Sequence, residues 1–532
     1  MDLLTQESEW GRSNMKAKDY KISKEKFVFC SNEGRLHDQK LDTKPMSYLK
    51  DAFSRFKRNR ASITAAIIIG ILILFAIFVP IFSKYTVQYN DTYYRYISPK
   101  NKLFAELGIP FWDGTKGKEA TAQDFYFYYS MGQETGKNAI VDQEYSIIHK
   151  IGLTGREVTY YKYQLDTYQA VGVVLMDLRT EQYQNIQNYQ DEKGIQVIYP
   201  ITIPEQRPTS RQDVNKVGNY WYATEEINGK TSIILDDDGN LIPIYKSYTG
   251  TDDYYSALRY EGEGYLYDYS TKNQTGYSVR VNYYEYYIYY HTYVLQDGIT
   301  EPMFLFGTTN YGADILTSLA SGARFSFALA IIVASINLFV GAIYGAIEGY
   351  YGGRLDLAME RIVDVLAAVP FMIVISLLKY HLENVPQAVI LFIAFFITGW
   401  IGMAGRTRMQ FYRFKNQEYV LAARTLGAND RRIMFKHIFP NAIGTLITSF
   451  VLVIPGMIFS ETSLSYLGII NLNTGDMTSV GTLLASAQPY LVSYPHMIFF
   501  PAVFISLLML SFNLFGNGLR DAFNPSLRGT ED

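Results

Sequence analysis

Residues 418–440 read EYVLAARTLGANDRRIMFKHIFP, a charged stretch of amphipathic helical character caught between long apolar runs. Ala422 and Ala423 remove bulk, so another surface can approach closely. Gly427 interrupts the helix at a cost of about 1 kcal/mol relative to alanine, and Pro440 is expected to end the second piece. Helix, glycine break, helix and proline together make a short rigid knob.

The runs on either side of the knob decide the class. A chain of 532 residues that is 48% hydrophobic fits a large soluble protein on average, but the apolar residues are not evenly spread. Residues 61–83, between Arg60 and Lys84, carry no charge and span ~34 Å as a helix. Residues 325–347, 363–378, 387–404, 442–460 and 496–515 complete six expected transmembrane helices. Lys and Arg favour the cytosolic side of a span. Lys44, Lys50, Arg55, Lys57, Arg58 and Arg60 precede the first span, and Arg406, Arg408, Arg413, Lys415, Arg424, Arg431, Arg432 and Lys436 follow the fourth. Both termini and the knob are therefore expected in the cytosol. Between His437 and Leu519 there is no Lys or Arg, as two spans and an external loop require. Asp364 reads as a helix-end residue. The first span lies behind a polar leader, so it is an anchor and not a cleaved signal peptide.

Residues 84–301 differ in kind. They hold 34 of the 46 tyrosines, and Cys30 lies outside them, so they are expected to fold outside the cell without disulfides. Residues 231–235 and 241–245 flank an Asp-Asp-Asp-Gly-Asn turn and read as a hairpin, and 278–295 reads as one long strand or two. The segment is expected to be a mainly β extracytoplasmic domain. Gly229-Lys230-Thr231 lacks the earlier glycine of a phosphate loop, the aspartate turn lacks the distal Glu of a calcium loop, and two glycosylation sequons, at Asn90 and Asn273, carry little weight. The net charge of −3 gives no indication of nucleic acid as a partner.

The Ala-Ala, three residues, Gly pattern running into His-Ile-Phe-Pro resembles the loop by which ABC importer permeases dock on their ATPase. Gly307-Thr308 with Gly312 and Asp314, Gly322-Ala323-Arg324, Gly349-Tyr350-Tyr351-Gly352-Gly353, Val363-Asp364-Val365 with Pro370-Phe371, the 461–468 run ETSLSYLG and the 512–521 run FNLFGNGLRD are similar, in the same order, to motifs of oligopeptide and dipeptide permeases. The likeness covers residues 45–83 and 306–528. Leu421 stands where that family has a loop Glu, with Glu418 one turn earlier, and Thr309 and Ala313 replace the usual Asp and Arg. The long 84–301 segment replaces a shorter connection.

The resemblance implies a type I ABC importer permease fold of six transmembrane helices and a division of labour. The leader is 1–60, the first span 61–83, the inserted domain 84–301, the permease core 302–528 and the coupling loop 406–440. Ala422 and Ala423 are expected on the ATPase contact face with Glu418 nearby, Gly427 at the bend, and Arg424, Asp430 and Arg431 around the rim. Asn337, Pro455, Ser460, Glu461 and Asn513 are candidates for lining a pathway shared with a second, homologous permease. Glu461 is the best placed of them for the outer mouth, and residues 307–324 are expected to lie along the outer interface. The chain holds no catalytic set, no metal site and no cofactor. ATP and Mg belong to two partner ATPases, and an external substrate-binding protein would select the cargo. Peptide is the expected cargo, with nickel or another small solute still open, and a membrane receptor or scaffold with an external sensing domain is the competing class.

Overall fold

The computed structural model describes residues 48–107, 109–151, 155, 157–199, 264–472 and 477–523, with the short pieces 224–227, 230–233, 235–238 and 258–259. The leader before Tyr48, the expected strand at 241–245, and the glycines of both apparent loop motifs lie outside these residues. The basic helix α1 (Tyr48–Arg58) ends at Asn59, whose side chain accepts from Ser62 N at 3.2 Å and caps α2 (Arg60–Phe82).

The segment after α2 contains helices as well as strands, a correction to the mainly β expectation. Strand β1 (Thr115–Thr121) leads into α3 (Ala122–Thr135), followed by β2 (Ile140–Ile151) and β3 (Glu157–Asp166), which form an antiparallel sheet in the order β1-β3-β2. Phe125 of α3 covers this sheet, its ring stacked on Tyr161 at 4.4 Å. Strand β4 (Val173–Arg179), α4 (Thr180–Lys193), β5 (Ile198–Tyr199), the isolated hairpin β6 (Thr224–Ile227) and β7 (Lys230–Ile233), then β8 (Leu258–Arg259), β9 (Tyr269–Lys272) and β10 (Gly276–Asn282) follow. The second sheet runs β4-β10-β9-β8, with β5 also on β10, and Val279 and Val281 of β10 are fully buried under α4.

The tyrosine run after β10 is helical, not extended. It forms α5 (Tyr283–Tyr289), continued by a wide turn through Leu295. The Asn282 side chain accepts from Tyr284 N and Glu285 N, satisfying donors at the new helix start. Helical spacing then puts Tyr283 and Tyr287 on one face, against Tyr94 and Phe304, while Tyr289 faces the β10 core. Capping and packing on two sides outweigh the strand preference of tyrosine.

The remaining long helices are α6 (Ile315–Tyr351), α7 (Gly353–Ala367), α8 (Phe371–His381), α9 (Gln387–Phe414), the short α10 (Glu418–Thr425), α11 (Asp430–Tyr466), α12 (Val480–Ala487) and α13 (His496–Phe523). Of these and α2, five are long and apolar enough to cross a membrane, and the α7–α8 pair, bent by 71°, makes up to six. The third expected span is thus broken, because Pro370 has no N–H and disfavours helix just before it. Residues 315–324 belong to α6 and do not form a separate interface segment; Asp314 caps the helix by accepting from Thr317 N at 2.8 Å. Pro440 does not stop a helix either. It sits in the first turn of the Phe439–Tyr466 section, after a wide turn from Ile433 to Ile438, where its missing donor costs little.

Candidate functional site: a knob at the basic end of the bundle

The knob forms as its residues dictate. Helix α10 ends with Leu426 N donating to Ala422 O at 3.1 Å, and Gly427 then takes φ +81. A Cβ there would meet open space, so glycine is required for backbone conformation alone. Asn429 caps the next helix by accepting from Arg432 N at 2.9 Å. Val420 is fully buried in a cluster with Tyr350, Phe411, Ile433 and Met434, which seats the knob on the ends of α6 and α9.

The two alanines part company. Ala422 is exposed, whereas Ala423 is 8% exposed and faces inward, so only half of the expected contact pair is presented. The exposed face also carries Leu421 and Leu426, the latter 87% exposed. An apolar side chain at the tip of a polar loop was the signal the sequence reading passed over. Glu418 and Arg431 are exposed. Arg424 and Asp430, expected on the rim, converge on Tyr350: its hydroxyl donates to Asp430 Oδ1 at 2.6 Å, and the Arg424 guanidinium lies 5.9 Å from its ring centre.

Behind the knob, α6 and α9 are held unusually close. Gly341, Gly345 and Gly349 present a smooth stripe, and a Cβ on Gly345 would lie 2.1 Å from Ala404 O. Arg408 of α9 grips Asp356 of α7 with two bonds, at 2.7 and 3.0 Å, and lies within 3.6 Å of Glu348 and 3.4 Å of Glu360. Lys415 Nζ donates to Gly349 O at 2.9 Å. Short, charge-assisted contacts thus join α6, α7 and α9 beside the knob.

The pathway candidates scatter. Asn337 is buried and donates to Phe395 O at 3.2 Å, joining α6 to α9. Glu461 is 1% exposed and accepts from Ser326 of α6 at 2.8 Å and from Ser465 at 3.1 Å. It sits within this chain and not on an open mouth, because enclosing hydroxyls use its oxygens. Pro455 is buried within α11, Ser460 turns back to Gly456 O at 2.8 Å, and Asn513 is exposed on α13.

At the opposite, tyrosine-rich end lies a second assembly that the sequence reading missed. Residues 91–100 run against 304–312: Ile97 N donates to Thr308 Oγ1 at 2.9 Å, Thr308 N to Ile97 O at 3.1 Å and Lys100 N to Phe304 O at 2.9 Å. Asp91, noticed only as the middle of a sequon, accepts from Tyr93 N, Tyr94 N, Tyr89 Oη and, at 2.7 Å, Tyr283 Oη. Burial and the Asp91 carboxylate hold the Tyr283 phenol well above its ordinary pKa, so it remains a donor. Burial pushes the Asp314 carboxyl up to about 6 against the pull of its Thr317 donors.

Five helices long and apolar enough to cross a membrane, with a charged knob between two of them, fit a membrane-embedded subunit. The comparisons place it more narrowly: the chain belongs to the binding-protein-dependent transport system inner membrane components, whose description matches residues 338–529, and the N-terminal domain of oligopeptide transport permease C matches residues 47–99. It is 45% identical over 223 residues to an oligopeptide transport permease of Bacillus subtilis, covering 42% of this chain and 72% of that one. A dipeptide transport permease of the same organism is 40% identical, over 42% of this chain and 69% of that one. A solved inward-facing methionine ABC transporter aligns over 39% of this chain and 96% of that one, at 15% identity and a TM-score of 0.31.

Proposed function

We propose that this chain is the permease subunit of an ATP-driven peptide importer, forming half of the translocation pathway beside a second, homologous permease. The observation that carries the reading is the 45% identity to an oligopeptide permease. Two partner ATPases hold ATP and Mg, and their closure pushes on the knob. Val420 and the Tyr350 contacts favour rigid transmission, since a loosely tethered loop would absorb the movement. The basic end, with both termini, faces the cytosol of a bacterial cell, and the tyrosine-rich domain faces outward. We further propose that this domain docks or positions the external substrate-binding protein.

Purification of the tagged chain should bring down a second permease and two ATPases. A strain lacking the gene should lose uptake of labelled oligopeptides and regain it on complementation. Restored nickel uptake without peptide uptake would overturn the cargo, and absence of ATPases would overturn the class. Removing residues 101–303 and rejoining the chain tests the domain: unchanged affinity for the binding protein and unchanged uptake would sink its docking role.

A further inference from the structure

A cavity of about 380 Å³ opens between α9, α11 and α13 at the basic end. Arg406, Arg413 and Arg520 line it, and among the described residues no Asp or Glu does. Arg406 and Arg413 are seven residues apart on one helix, hence on one face and ~10 Å apart along it. Arg406 is the first charged residue after the apolar run that begins at Gln387, and Arg520 is the first after the apolar run of residues 496–515. Both therefore mark the plane where the hydrocarbon ends. Among the described residues Arg520 pairs with its exposed neighbour Asp521, 3.8 Å from Nε and outside the cavity lining. Thr445 and Ser449, one turn apart on α11, add hydroxyls to the wall, and Leu452 carries it on as an apolar strip toward the middle of the helix.

From these features we propose that the cavity binds the phosphate of an anionic phospholipid headgroup in the cytosolic leaflet. The inference rests on the basic end being cytosolic. Three guanidinium groups supply forked donors that match phosphate oxygens, in a cavity whose lining has no acid to neutralise them. The apolar strip beside Leu452 suits an acyl chain. A free phosphate would use the arginines and hydroxyls but not the apolar strip, so the mixed lining favours the lipid. Bound there, a headgroup would bridge α9, α11 and α13, the first two of which flank the knob.

The test uses the purified complex in detergent, titrated with phosphatidylglycerol, phosphatidylcholine or inorganic phosphate, with melting temperature and retained lipid by native mass spectrometry as readouts. Phosphatidylglycerol should bind and stabilise, and phosphatidylcholine should not. R406Q/R413Q should weaken the phosphatidylglycerol preference about fivefold for each arginine removed, whereas R354Q/R361Q, which removes two charges elsewhere on the same chain, should leave it intact. Equal binding of the two lipids, an equal effect of inorganic phosphate, or an equal loss in R354Q/R361Q would each overturn the proposal. Should R406Q/R413Q fail to fold, R520Q serves in its place, and an unchanged preference there is also fatal. None of these readouts depends on transport, so failure of the lipid site is separable from failure of the importer reading.

Discussion

Tyr350, in the last turn of α6, donates its hydroxyl to Asp430, the first residue of α11, at 2.6 Å, and so ties two long helices together across the base of the knob. Y350F keeps the ring under Arg424 but removes the donor. The complex should still assemble, at a stability cost of about 1 kcal/mol, while peptide transported per ATP hydrolysed falls. An unchanged ratio in reconstituted vesicles would show that this bond does not carry the coupling.

Leu426 offers the cleanest separation of folding from docking. It is 87% exposed, so L426D should leave the melting temperature of the isolated chain unchanged. Its expected effect is a loss of ATPase subunits on copurification, read as the ratio of bands after washing.

Close approach of α6 and α9 predicts a steep size dependence at Gly345. Even the alanine Cβ would meet Ala404 O at 2.1 Å, and G345L should abolish monodisperse protein on size-exclusion chromatography. At Gly402 a Cβ meets nothing within 4 Å, so G402A should elute as the parent does.

Asp314 gives stability a pH dependence of defined sign. Its folded pKa of about 6 lies above the ordinary 3.8, so the native state binds the proton more tightly than the unfolded chain. The contribution is complete below pH 3.8 and is lost as pH rises through 6. Asparagine can still accept from Thr317 N but does not titrate. Melting curves of D314N between pH 4 and pH 7 should therefore lack the part of the parent's slope that falls in this window.

Asp91 holds four donors at one point, two of them from tyrosine hydroxyls. D91A should raise hydrogen exchange across residues 89–97 and α5, leaving α9 and α11 at parental protection.

The apolar spans and the knob were legible because hydrophobic length and charge distribution are properties of contiguous sequence. Gly427 was legible as a helix break for the same reason, since a positive φ after a helix has a local signature. Pro440 was misread: a proline is a stop only where its missing donor was needed, and a wide turn before it removes that need. The tyrosine helix was hidden by residue preference, although Asn282 followed three residues later by Glu285 is a helix-start pattern. Glu461 and Asp91 could not be placed from sequence, because their partners lie 135 and 192 residues away, at Ser326 and Tyr283.

Lys100 N meets Phe304 O at 2.9 Å, so the two ends of the intervening two hundred residues lie side by side. A few residues could bridge that gap without moving either end. The junction is therefore a place where a gene could gain or shed some two hundred codons at two adjacent points, provided that the contacts of Phe111 and Trp112 with Phe500 and of Tyr283 with Asp91 are replaced. The same geometry makes it a place to graft a foreign domain onto the outer face of a transporter.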